Sequence, residues 1–94
     1  MSDDNQLDAI LEQRGDRYGM FKDHAKLTQE LKRVFFNHAS KHGKIFTPSQ
    51  QEAIEMIMHK LGRIGNGDPN YADSWIDIAG YAQLVADELV GKTK

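Results

Sequence analysis

The sequence predicts an all-α fold, a small four-helix domain ending in an antiparallel C-terminal helix hairpin. Three observations carry that expectation. Apolar residues recur at helical spacing in four separate stretches, and no stretch alternates as a half-buried strand does. The third stretch opens on Thr47-Pro48, with Gln50 three residues after Thr47, the pattern of a capped helix start. Only about seven residues join the third stretch to the fourth, which forces the two helices to run antiparallel.

The first helix is expected over about 4–14, with Leu7, Ile10 and Leu11 on one side. Gly15 and Gly19 bracket a loop, Gly15-Asp16-Arg17-Tyr18-Gly19, that ends it. The second runs over about 20–42, holding Phe21, Ala25, Leu31, Val34 or Phe35, and Ala39 on one face until Gly43 stops it. The third, about 48–64, carries Ala53, Ile54, Ile57, Met58, Leu61 and Ile64 up to Gly65. Asn66-Gly67-Asp68-Pro69-Asn70 reads as a turn. The fourth covers about 72–90 and stops at Gly91, leaving Lys92-Thr93-Lys94 as a frayed end. The apolar stripes of the last two helices are wider than one small domain readily covers, so a homodimer is expected.

Residues 1–94 are the length of a single domain, burying roughly 60–65% of the unfolded chain's surface. The absence of cysteine removes disulfides and thiolate metal sites and points to a reducing compartment such as the cytoplasm. The acidic start MSDDNQLDAI lacks the apolar region of a secretory signal, and no apolar run approaches the roughly 20 residues that cross a bilayer. A formal net charge of −2 gives no general footprint for nucleic acid. The charge is uneven, however. Residues 22–44 hold Lys22, Lys26, Lys32, Arg33, Lys41 and Lys44 against Asp23 and Glu30, whereas residues 68–88 hold five acidic side chains and no basic one. Such halves satisfy each other within a fold or across an oligomer interface.

The most informative chemistry lies where acids sit among apolar residues, in NGDPNYADSWIDIAGYAQL (66–84). On a helical wheel Lys60 falls between Met56 and Ala53, and Asp77 between Leu84 and Tyr81, both at apolar edges. Folding the hairpin about Asp68 brings Lys60 level with Asp77 and Arg63 level with Asp73. Two interhelical salt bridges fit this register, because half-buried charges persist when paired. A ligand-binding cluster held in shape by those ion pairs fits it too. Under the first reading, Lys60→Ala strands Asp77 and costs about 3 kcal/mol or more.

Other constellations are weaker. Glu52 and Glu55 with Asp73 and Asp77 supply four carboxylates, but Glu55 stands about 6 Å along the axis from Asp77 at about 1.5 Å per residue. Glu55, His59 and Arg63 read instead as solvated neighbours one turn apart. Gly65-Asn66-Gly67 is flanked by Asp68 and Asp73 with no lysine following, which suits a helix end better than a phosphate loop. His24 lies on the apolar side of its helix as a satisfied core histidine. The stripe Lys22, Lys26, Gln29, Arg33 and Asn37 reads as a solvated face. Arg17 and Tyr18, in their Gly-bounded loop, offer a guanidinium fork and a stacking ring; alternatively Tyr18 packs the loop down while Arg17 reaches an acid such as Asp73 or Asp77.

Taken together, Arg17-Tyr18-Gly19-x-Phe21-x-Asp23-His24, His59-Lys60-x-x-Arg63-Ile64, Asn66-Gly67-Asp68-Pro69-Asn70-Tyr71 and Asp73-Ser74-Trp75-x-Asp77-Ile78-Ala79-Gly80-Tyr81-Ala82 resemble a small family of phage and prophage proteins of unassigned function. The likeness spans about 14–89 and implies a phage or prophage origin, and with it the cytoplasm of a bacterial host cell as the location. More distantly the chain resembles the nucleotide-modification-associated domains and the MazG-like all-α NTP pyrophosphohydrolases, which implies that a MazG-like bundle is possible. The latter use Glu-Glu-x-x-Glu on one helix and Glu-x-x-Asp on the next. Here Gln51-Glu52-x-x-Glu55 and Asp73-x-x-x-Asp77 depart from both motifs.

The expected function is therefore that of a phage-type helical protein, dimeric and non-enzymatic, binding a host or phage macromolecule, for instance as an inhibitor of host defence. No cofactor is expected on this reading. The alternative is a nucleotide-binding protein or degenerate pyrophosphohydrolase. In it Arg17 and Lys60 or Arg63 meet phosphate, Tyr18 or Trp75 stacks on the base, and Asp73 and Asp77 hold Mg²⁺ or orient the cations. Asp68 and Tyr81 border that cluster.

Overall fold

The computed structural model describes residues 2–92, with side chains from residue 6 onward. The expected frayed end lies largely outside the described residues, at 93–94. Four helices form: α1 (Ser2–Tyr18), α2 (Phe21–Lys41), α3 (Pro48–Asn66) and α4 (Ala72–Leu89). There is no strand among the described residues. The fold class and the antiparallel C-terminal hairpin are as the sequence predicts.

The α3 start forms as its residues dictate. The Gln50 amide donates to Thr47 Oγ1 at 3.1 Å and the Thr47 amide donates to Gln50 Oε1 at 2.9 Å, a reciprocal cap worth about 1 kcal/mol. Two expected breaks fail. Gly15 does not end α1, which continues through Asp16 and Arg17 to Tyr18; a Cβ at Gly15 would meet nothing, so the helix passes an open position. The Gly15–Gly19 loop is thus a tight corner at Gly19 alone, where φ is 78°. Gly65 likewise sits inside α3, and Gly67 forms its C-cap. At the other corners, Gly43 (φ 67°) and Gly91 (φ 80°) take up the left-handed conformation that follows a helix.

Helix α3 is the centre of the molecule. It packs along both α2 and α4, while α2 and α4 do not touch each other. Helix α1 lies against α3 and α2. The α2–α3 approach is close at Gly62, where a Cβ would strike the Thr28 hydroxyl and the His24 ring. At the far end Phe35, Phe36 and Phe46 form an aromatic cluster, with ring centroids 5.2–6.0 Å apart.

The interior is thin. Among the described residues only Ala39, Ala53 and Met58 are buried apolar side chains. Of the residues expected on the inner face of α2, Ala39 is buried alongside His24 and Thr28, Phe35 is partly covered by Phe36 and Phe46, and Phe21 and Val34 are exposed. Leu7, Ile10 and Leu11 of α1 and Leu61 of α3 are also exposed. The accessible surface is 6980 Å², against about 5,500 Å² for a folded monomer of this mass. The radius of gyration is 16.1 Å, where a chain of this length packs to about 12 Å. Three helices side by side cannot cover both faces of the middle one, and much of the apolar surface is left in water.

Candidate functional site

The sequence-predicted residues divide into two groups. On the hairpin, Lys60 and Asp77 meet as expected, Nζ to Oδ2 at 2.9 Å. The ammonium is the buried partner, its side chain 11% exposed, while the Asp77 side chain is 46% exposed. Tyr81 and Asp77 border an open concavity on the face of α4 with Ile76, Gly80 and Leu84.

The second group gathers where α1 meets the α3–α4 connection. Arg17 donates to the Tyr71 hydroxyl at 2.8 Å, and that hydroxyl donates to Asp73 Oδ2 at 2.8 Å. The bond to Asp73 holds the Tyr71 hydroxyl above its ordinary range, as does its partial burial, so the phenol stays protonated. Arg63 does not pair with Asp73, contrary to the predicted register. Its guanidinium lies over the Tyr18 ring, 4.1 Å from the centroid. Each partner is held elsewhere: Tyr18 of α1 packs on Arg63, while Tyr71 of the α3–α4 connection bonds Asp73. Tyr18 and Tyr71 meet edge to face, 6.1 Å apart.

Asp68 closes its turn by accepting from the Asn70 amide at 2.9 Å, and its own amide donates to the Arg17 carbonyl. Trp75 stands apart, half exposed, its indole N–H donating to the Pro69 carbonyl at 2.8 Å. The residues expected to share one nucleotide cluster are therefore held by partners on two separate surfaces. Among the described residues no three His, Asp or Glu side chains converge as a metal ion requires.

Sequence reasoning missed Asn66, Tyr71 and His59. Asn66 donates to the Tyr18 and Met20 carbonyls at 3.0 and 3.1 Å, clamping the α1–α2 corner onto the end of α3. Its place beside two glycines read only as a turn. Tyr71 was visible as a motif letter without a partner. His59 is not a solvated neighbour of Glu55. It stands edge-on to His24 at 4.6 Å, and His24 Nε2–H donates to the His59 carbonyl at 3.0 Å, satisfying the buried His24 as the sequence predicts. Glu55 instead accepts from Gln51 at 2.7 Å and pairs with Lys32 at 3.4 Å; the Gln51 bond foremost holds its carboxyl below the ordinary value.

Burial, with Arg63 and His24 nearby, pushes His59 down to about 4. The unfolded chain takes up a proton near pH 6.5 that folded His59 refuses. Stability from this group is therefore full above about pH 6.5 and declines as pH falls toward 4. A His59→Asn variant is expected to flatten the acid limb of a plot of unfolding midpoint against pH, and an unchanged limb rules this origin out.

These features define a small all-α domain with a clamped corner and exposed apolar residues along α4. The model of a domain of unknown function, DUF6378, matches residues 4–89, and the chain belongs to that family. No curated protein and no solved structure matches it. No described helix is long and apolar enough to cross a membrane.

Proposed function

We propose that this is a phage-type helical binding protein of the bacterial cytoplasm, without catalytic chemistry, whose open face is first closed by a second copy of itself. The observation that carries this reading is the environment of α4. It has one helical neighbour, α3, yet it exposes Trp75, Ile76, Ala79, Gly80, Leu84 and Leu89. A helix with apolar residues on its outer flanks is stable when something covers them. Ile76, Gly80 and Leu84 form a ridge at four-residue spacing with a small residue at its centre, suited to close helix packing.

The area and the charge both favour a second copy as the cover. The surface in excess of a folded monomer, about 1,500 Å², matches one partner's share of an obligate dimer. Basic α2 and acidic α4 lie on different sides of α3 and cannot neutralise each other within one chain. A two-fold axis parallel to the helices sets α4 of one protomer over α2 of the next, twice. Macromolecular targets of host or phage would then be met by the assembled dimer.

Sedimentation equilibrium is the test. The mass is expected at twice 10.7 kDa, weakening with added salt, and Leu84→Asp is expected to abolish association. A wild-type chain that remains folded and monomeric up to millimolar concentration sinks the proposal.

A further inference from the structure

The clamped corner encloses a second feature that the self-association reading does not use. Leu11 and Arg14 of α1, Tyr18 and Phe21 of the corner, and His59 and Arg63 of α3 line a cavity of about 460 Å³. That is within the size range of small-molecule sites. Its wall is largely apolar, and Phe21 at its edge is 78% exposed, a ring left in water where a ligand could cover it.

The charge of the lining is one-sided. Arg14 and Arg63 face it and no carboxylate does. Three cations packed against α3 or its connection do have acidic partners: Lys60 has Asp77, Lys32 has Glu55, and Arg17 reaches Asp73 through Tyr71. Arg63 forms no ion pair among the described residues and rests over Tyr18. The cavity is also built rather than incidental. The two Asn66 bonds fix the corner, and close backbone approaches at Gly19 and Gly67 leave no room for a side chain.

We propose that this cavity binds a small aromatic anion, its flat body against Leu11, Tyr18 and Phe21 and its carboxylate or phosphate on Arg14 and Arg63. The guanidinium fork matches either anion in two-point geometry, and the rings accept a planar body. Of the cations expected on a ligand, only Arg63 belongs to this set; Arg14 is new.

The test is an amide chemical-shift titration of the full chain with four probes: 2-naphthoate, adenosine monophosphate, inorganic phosphate and uncharged 2-naphthol. Shifts are expected at residues 18–21 and 59–63 with naphthoate or the nucleotide, and weaker ones with phosphate or naphthol alone. The tighter of the first two identifies the anion as carboxylate or phosphate. Arg14→Gln, at an exposed position, is expected to weaken binding about tenfold without changing the fold, and Arg63→Gln at least as much. Three results overturn the proposal: no shift at these amides with any probe at millimolar concentration, equal binding of naphthol and naphthoate, or full affinity in the double variant. The cavity involves α1–α3 and not α4, so the mass measured by sedimentation does not decide it.

Discussion

Asp77→Ala is expected to destabilise the protein by about 2–3 kcal/mol, and Lys60→Met by far less. The order follows from which partner is buried. With Lys60 only 11% exposed, loss of Asp77 leaves an ammonium in an apolar setting with no counter-charge. Loss of Lys60 leaves a carboxylate that is 46% exposed and already reaches water. This reverses the expectation from the sequence, in which Asp77 was the stranded charge. Methionine preserves the apolar stem that Lys60 packs between the helices, so its substitution removes the desolvation cost together with the pair. For a domain of this size, Asp77→Ala corresponds to a fall in unfolding midpoint of roughly 10–20 °C. The measurement is thermal unfolding of both variants at one protein concentration, so that the proposed self-association would act equally on both. A larger loss for Lys60→Met than for Asp77→Ala contradicts the assignment.

The Lys60–Asp77 pair was legible because it needs only two helices and their register. A wheel places each side chain at an apolar edge, and the short connection through Asp68 sets their heights. The Arg63–Asp73 pair satisfied the same geometry and does not form, because a third helix intervenes. Tyr18 reaches Arg63 only when α1 is one turn longer than its glycine suggests, and helix propensity puts the cost of Gly15 at only about 1 kcal/mol. The corner that Asn66 clamps outweighs that cost. Burial was misread for a related reason. The stripes of Phe21, Val34 and Phe35 on α2 and of Leu7, Ile10 and Leu11 on α1 are plain in the sequence, but periodicity does not say what covers a stripe. Here only Phe35 gains cover, from Phe36 and Phe46, and the rest stay exposed. The cavity at the corner was illegible altogether, since Arg14 and Arg63 come together only through the direction in which α1 returns across α3.

Gly67→Ala is expected to cost about 3 kcal/mol, the upper end of what overpacking does, and to act at one end of the molecule. A Cβ at this position would collide with the Arg17 carbonyl oxygen and with the Tyr18 backbone. Backbone atoms cannot rotate aside as a side chain tip can, so α1 has to lift. Lifting it breaks the Asp68–Arg17 backbone bond, the Asn66 bonds to Tyr18 and Met20, and the Arg17–Tyr71 bond together. It leaves the α3–α4 packing and the Lys60–Asp77 pair intact. Hydrogen exchange should therefore report fast amides throughout α1 with protection retained near residues 57–61 and 77–82. Gly15→Ala is the matched control: its Cβ meets nothing, and replacing a mid-helix glycine should add roughly 0.5–1 kcal/mol. The contrast separates a glycine required by close approach from one that only lowers helix propensity, because Gly67 is a cap whose Cβ is obstructed and Gly15 lies inside α1 with its Cβ free. If Gly67→Ala instead keeps α1 protected, the contact at the corner is looser than its geometry implies. Arg14 would then not be held opposite Arg63, and the cavity between them would lose its wall.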